Sequence, residues 1–327
     1  KKKLTSGKDD SAWRPIVDST TMNITVLMGG PSCERDVSLQ SGEAIAAALE
    51  RKGHTVRRRD ISPSDTSALY EQDVDVVFIA LHGEFGESGE VQQLCEDLGL
   101  AYTGSSPHAS SLGMDKIATK RLAERVGVAT PPWCRVGVLT DPAQRAERLD
   151  AVSLPCVVKP IAGGSSVGVS LCTTAAERDE AIAQLLQTET DILIERFIQG
   201  RELTVGIVGL DALEVLEILP QTPFYDYEAK YADSAETKYT FEHGLDEASV
   251  ATMQMDALKV FHALGCRDLS RVDFMLDEAG VHWMLEINTI PGFTSHSLVP
   301  MAAAKADISF DDLVDQLAQM ASRRLED

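Results

Sequence analysis

Basic charge is in short supply: 30 Lys and Arg stand against 51 Asp and Glu in 327 residues, a formal net charge of -21. Phosphate backbones are bound mainly through an excess of Lys and Arg, so this balance argues against a nucleic-acid partner. It leaves room for a local basic pocket around a single nucleotide. No C-x-x-C pair occurs among the six cysteines, at positions 33, 95, 134, 156, 172 and 266, and most sit in apolar surroundings such as "LPCVV". They read as reduced, buried thiols, which predicts a cytoplasmic protein. No apolar run approaches the roughly 18 residues of a membrane span, and "KKKLTSGKDDSAWRPIVDSTT" at the N-terminus lacks the apolar centre of a signal peptide. Neither export nor a membrane partner is expected. Also missing is a G-x-G-x-x-G fingerprint, which argues against a dinucleotide site and an oxidoreductase. There is no internal repeat and no low-complexity tract.

What is present is a globular chain with 44% hydrophobic residues, long enough for two or three packed units. Residues 1–22 are polar and unpatterned and read as a flexible extension, with Met22 the expected natural start. "NITVLMGG" predicts a buried strand ended by glycines, and "SLQSGEAIAAALERKGH" a helix with Ser38 as N-cap and Gly53 just past its end. Asp73 to His82 predicts a second buried strand. Strand, helix, strand indicates an open parallel α/β sheet that receives ligands at the carboxyl ends of its strands. Further on come one helix over "SSLGMDKIATKRLAERVGV", a joint at Pro131 and Pro132, and the strand "LPCVVKP". Two strands, "DILIERF" and "RELTVGIVG", flank Gly200 and precede the long polar stretch "TPFYDYEAKYADSAETKYTFEHG".

Near the C-terminus, "RVDFMLDEAGVHWMLEIN" predicts a β-hairpin turning through Asp277 to Gly280. If Leu276 pairs with Val281, then Asp273 pairs with Met284 and Arg271 with Glu286. One face then carries Val272, Phe274, Leu276, Val281, Trp283, Leu285 and Ile287. The other carries Arg271, Asp273, Met275, His282, Met284, Glu286 and Asn288. Asp273 and Glu286 become diagonal neighbours, with Cα atoms roughly 7 to 8 Å apart, and Asn288 extends their row. Two carboxylates and an amide oxygen suit magnesium, whose remaining positions are commonly filled by water and nucleotide phosphates. Taken alone, the same pattern also describes an amphipathic hairpin with a solvated acidic face. "VVKPIAGGSSVGV" places Lys159 at a strand end before Gly163, Gly164, Ser165, Ser166 and Gly168. Such a loop exposes backbone N–H groups to phosphate oxygens and can close as a lid, although it also fits a plain connection.

Taken together, "GGPSCERDVSLQSG", "HGEFGESGE", "MDK", "KPIAGGSSVG", "ERFIQGREL", "FYDYEAKY" and "RVDFML...LEINTIPGFTSHSLVP" resemble the D-alanine:D-alanine ligases of the ATP-grasp superfamily, from about Asn23 to the C-terminus. The resemblance implies an α/β (α+β) ATP-grasp fold with an N-terminal open parallel α/β domain. Its units would be an N-terminal substrate domain over 23–105, a central ATP-grasp subdomain over 106–195 and a C-terminal one over 196–327 carrying metal and catalytic residues. It implies ATP and magnesium as cofactors, with manganese an alternative, D-alanine as substrate, and a homodimer.

Site residues follow by the same resemblance. Lys116 and Lys159 would contact ATP phosphates. Glu195 would meet the adenine edge beside backbone groups of Phe197 and Ile198, and Glu202 the ribose hydroxyls. Asp273, Glu286 and Asn288 would hold two magnesium ions. Glu34 would face the ammonium of the first D-alanine, with His82 nearby and Ser165 and Tyr231 hydrogen-bonded to Glu34. Lys230 would reach the transferred phosphate. Arg271 and the N–H of Gly292 would form an oxyanion hole, and Ser297 with the N–H of Leu298 would bind the carboxylate of the second D-alanine. Ser88, Gln93 and Asp268 depart from the family pattern, which puts local loop geometry in doubt. Two alternatives stay open: a depsipeptide ligase using D-lactate, which the residue at 231 would distinguish, and a nucleotide-binding regulator without turnover.

Overall fold

The computed structural model describes residues 20–165, 167–219 and 237–324. In it, the apolar run Asn23–Gly29 forms β1, the middle of a three-stranded parallel sheet. β2 (Thr55–Ile61) and β3 (Val76–Ile79) flank it. β3 is shorter than the expected Asp73–His82, so Leu81 and His82 belong to the loop that follows the strand. Helix α1 (Arg35–Arg51) crosses over between β1 and β2 and buries Ile45, Ala46 and Leu49 against Ile24 and Val26. Full burial of each large aliphatic side chain contributes about 1.5 to 3 kcal/mol.

The N-cap of α1 differs from expectation. The helix begins at Arg35 with Glu34 in the cap position, and Ser38 lies inside the first turn. Its hydroxyl donates to the Ala80 carbonyl at 2.8 Å and accepts from the Gly29 N–H at 2.9 Å. Ser38 therefore joins the ends of β1 and β3 rather than capping its own helix.

After α2 (Glu90–Asp97), the single helix expected over "SSLGMDKIATKRLAERVGV" is two, α3 (Pro107–Met114) and α4 (Lys116–Arg125). Asp115 breaks them. Its backbone is extended, and its carboxylate accepts from the N–H groups of Ile117 and Ala118, both at 2.9 Å. A short acceptor that competes for backbone N–H groups starts a helix better than it continues one. Lys116 is thereby the first residue of α4.

Two further sheets are antiparallel. The first has the order β4 (Trp133–Gly137), β7 (Asp191–Arg196), β5 (Cys156–Pro160), β6 (Ser170–Cys172). The second runs β11 (Lys238–Thr240), β10 (Leu216–Leu219), β8 (Gly200–Val208), β12 (Leu269–Asp277), β13 (His282–Asn288), with β9 (Asp211–Ala212) beside β8. Gly200 opens β8, and a Cβ there would come 2.0 Å from the Leu276 carbonyl oxygen, so only glycine lets the two strands pair at this end. The core of this sheet joins Leu203, Val205, Val272 and Phe274 to Phe261 and Leu264 of the Glu247–Leu264 helix. Among the described residues, no helix is long and apolar enough to cross a membrane.

Candidate active site

Between the two antiparallel sheets lies a cavity of about 700 Å³. Lys159 of β5, Glu195 of β7 and the following Phe197 and Ile198 line one wall, and Glu202 of β8 lies opposite. Asp273, Glu286 and Lys116 also line it. Eight residues assigned from resemblance to nucleotide and metal thus share one space. Gly163 and Gly164 of the phosphate-loop candidate border it too.

The hairpin that carries the carboxylates departs from the expected register. Asp273 pairs directly with Glu286 and Arg271 with Asn288, while Phe274 pairs with Met284. Leu285 is the extra residue of a β-bulge between these pairs. The bulge exchanges faces toward the turn: Met284 is fully buried in the apolar core, and Leu285 lines the cavity with Met275 and Glu286. His282 likewise leaves the acidic face, bonding to Asp256 at 2.8 Å and packing edge-on against Phe274. Strict alternation could not foresee the exchange, because one inserted residue reverses every side chain beyond it.

Directly opposed carboxylates repel unless cations stand near. Here Arg271 donates two hydrogen bonds to Asp273, each at 2.8 Å, and Thr204 donates a third at 2.7 Å. The Lys116 ammonium lies 3.4 Å from Glu286 and donates to the Gly163 carbonyl at 2.5 Å, which staples the glycine-rich loop to α4. Asn288 Oδ1 accepts from the Ile290 N–H at 3.1 Å. This all-oxygen set, two carboxylates and an amide with positive groups already beside them, fits a hard divalent cation. Among the described residues no group of three His, Cys, Asp or Glu is placed to hold a metal. A cation here would take its remaining oxygens from elsewhere, as one bound to phosphates does.

A second cluster lies where the glycine-rich loop meets the parallel sheet. Ser165, at a left-handed φ of 53°, donates to the nearly buried Glu34. A Cβ on Gly164 would come 3.2 Å from the same carboxylate, so the loop rests closely on Glu34. His82 Nδ1 bonds to the Ile290 carbonyl at 3.0 Å, which assigns its proton to Nδ1 and leaves Nε2 to accept from Ser41 at 3.1 Å. Burial holds the His82 imidazole below its ordinary pKa, with Glu34 working in the opposite sense.

Glu87, which the sequence reading passed over, is buried in this cluster and accepts from the Gly83 N–H at 2.7 Å. Burial, reinforced by the negative Glu34, raises its carboxyl to about 8. It belongs to the quoted motif "HGEFGESGE", but nothing local to that motif distinguishes it from the exposed Glu84. Lys120, equally unanticipated, pairs with Glu195 from α4.

Gly292 and Ser297 lie on the segment after β13. Ser297 occupies the N-cap position of the Leu298–Lys305 helix, and its hydroxyl accepts from the Thr294 N–H at 2.9 Å. Leu298 is then the first helical residue, where N–H groups lack intrahelical partners and favour a carboxylate. A Cβ on Gly292 would meet only Ser297 Oγ, at an ordinary 3.5 Å, so the fold itself does not demand glycine there. Lys230 and Tyr231 lie outside the described residues.

Two sheets clasping a cavity with lysines, opposed carboxylates and a glycine-rich loop define a ligase of the ATP-grasp class, and comparison with known proteins agrees. Residues 57–105 match the family described as "D-ala D-ala ligase N-terminus", and residues 122–319 that described as "D-ala D-ala ligase C-terminus". The chain belongs to the D-alanine–D-alanine ligase family. The D-alanine–D-alanine ligase of Marinomonas sp. (strain MWYL1) is 43% identical over 305 residues, covering 91% of this chain and 95% of that relative. Among solved structures, the Bacillus anthracis D-alanine–D-alanine ligase complexed with ATP superposes with a TM-score of 0.79 at 30% identity, over 93% of this chain and 98% of that one. The VanG D-Ala:D-Ser ligase of Enterococcus faecalis gives 0.81 at 27% identity, over 92% and 100%.

Proposed function

We propose that this chain joins two D-alanines at the cost of ATP, supplying the dipeptide for peptidoglycan precursors. The observation that carries the reading is the direct opposition of Asp273 and Glu286 on the floor of a cavity that also holds Lys116 and Lys159. ATP phosphorylates the carboxylate of one D-alanine. The neutral amine of the second attacks the acyl phosphate, and the tetrahedral intermediate expels phosphate. Positioning and electrostatics carry most of such catalysis.

In this reading Glu195 and the backbone at Phe197 and Ile198 receive the adenine, Glu202 the ribose, and Lys116 with Lys159 the phosphates. Magnesium at Asp273, Glu286 and Asn288 offsets charge on the transferred phosphoryl group when bound. Glu34, oriented by Ser165 and Tyr231 with His82 behind it, faces the first ammonium, and Lys230 reaches the transferred phosphate. Arg271 and the Gly292 N–H stabilise the oxyanion, and Ser297 with the Leu298 N–H holds the second carboxylate. Its place is the cytoplasm, and the family resemblance adds a homodimer, which sedimentation of the pure protein tests. A phosphate-release assay over a panel of D- and L-amino acids, with products identified by mass, tests the whole reading: turnover with D-alanine and a D-alanyl-D-alanine product are expected. Turnover without dipeptide would overturn it.

A further inference from the structure

Among the described residues, Lys120 has the largest fully buried side chain, and it is a charged one. It lies on α4 one turn beyond Lys116, does not line the cavity, and has no part in the reaction described above. Its ammonium donates to the Thr130 hydroxyl at 2.7 Å, which in turn donates to the Met284 carbonyl at 2.9 Å. The same ammonium lies 2.6 Å from Glu195 Oε2, while Lys159 donates to the other oxygen, Oε1, at 2.5 Å. Glu195 is thus a buried carboxylate between two lysines. Each oxygen of Glu195 therefore has its own ammonium, Oε2 that of Lys120 and Oε1 that of Lys159. The residue nevertheless lines the cavity, and a carboxylate has more lone pairs than its two lysines occupy, so it can accept from a ligand as well.

We propose that Lys120 is a positioning residue that sets base selectivity, by keeping Glu195 an ionised, acceptor-only carboxylate for a 6-amino purine. Resting on the nucleotide reading of the cavity, the inference adds the group that enforces it. An ionised carboxylate accepts from an exocyclic amine and repels a 6-oxo group. A protonated one could donate to that 6-oxo group, and selectivity would fall. Burial alone would push the Glu195 carboxyl up; Lys120, then Lys159, reverse this and hold it below its usual range. Lys159 also reaches toward the phosphates in the proposed complex, so Lys120 is the cation that stays. Burial in turn draws the Lys120 ammonium down to about 8, and the anchoring Thr130 hydroxyl fixes its position.

The test compares Kd for ATP and GTP, both with magnesium, by calorimetry on the full chain and on Lys120→Met, Thr130→Val and Glu195→Gln. Wild type should prefer ATP by at least about 100-fold, and Lys120→Met should cut that ratio by at least about tenfold. A merely structural lysine would weaken both nucleotides equally and leave the ratio unchanged, which would overturn the proposal. Should Lys120→Met not fold, Thr130→Val keeps the ammonium but removes its anchor and should cut the ratio by at least about threefold. An unchanged ratio there is equally fatal. Glu195→Gln separates the two layers: loss of selectivity in it but not in the lysine variants sinks only the role of Lys120. Selectivity retained in Glu195→Gln sinks the base reading as well.

Discussion

Asp273 on β12 and Glu286 on β13 stand directly opposite each other, and the bulge at Leu285 turns both toward one cavity. The pairing stores like-charge repulsion that only neighbouring cations relieve. Glu286→Gln keeps the shape and removes one charge. The variant should lose at least about 100-fold in ATP turnover, the loss of several kcal/mol of charge stabilisation, while the ligand-free protein melts no lower than wild type. Phosphate release and thermal unfolding check the two halves. Near-normal turnover at ordinary magnesium would remove Glu286 from the metal set.

The site was legible in the sequence where chemistry follows residue type, and illegible where one residue of geometry intervenes. Hydrophobic periodicity placed β1, α1 and the hairpin turn at Asp277 to Gly280, because buried strands and helices must present apolar faces. It could not place the bulge at Leu285, since Leu fits either face and nothing in "HWMLEIN" marks an insertion. It merged α3 and α4 because Asp115 is tolerated inside a helix as well as at its start. Glu87 and Lys120 went unanticipated because the packing that buries them comes from segments far along the chain: Ile290 against Glu87, Glu195 against Lys120.

Glu87 should make stability depend on pH. Its carboxyl is raised to about 8 in the folded protein from an ordinary 4.5, so between these values the fold holds a proton that the unfolded chain releases. The stability from that proton is fully present below about pH 4.5 and is lost as pH rises through about 8. Glu87→Gln can still accept from the Gly83 N–H and cannot ionise. Its stability relative to wild type should therefore climb by about 1 to 3 kcal/mol between pH 5 and pH 8.5, read from urea unfolding at each pH. A constant difference would mean that Glu87 ionises normally, despite its burial and the negative Glu34 beside it.

Asp268 ties the parallel-sheet region to the C-terminal helix. Its carboxylate accepts from the Gly104 N–H at 2.7 Å and pairs with Arg324 at 2.5 Å, from a left-handed φ of 63°. Asp268→Ala leaves a buried N–H without its acceptor and keeps an unfavourable backbone, which should cost about 2 to 3 kcal/mol. Asp268→Asn keeps an acceptor and tolerates the backbone, so it should cost about 1 kcal/mol. Equal losses in chemical denaturation would show that neither Gly104 nor the backbone conformation matters.

The acyl phosphate is the centre of the account, and oxygen labelling tests it most directly. With both carboxylate oxygens of D-alanine carrying ¹⁸O, attack on ATP moves one labelled oxygen into the bridge of the acyl phosphate. Expulsion by the second amine then leaves that oxygen on phosphorus. Mass spectrometry of the released phosphate should find one ¹⁸O for each D-alanyl-D-alanine formed. Dipeptide accompanied by unlabelled phosphate would contradict the account.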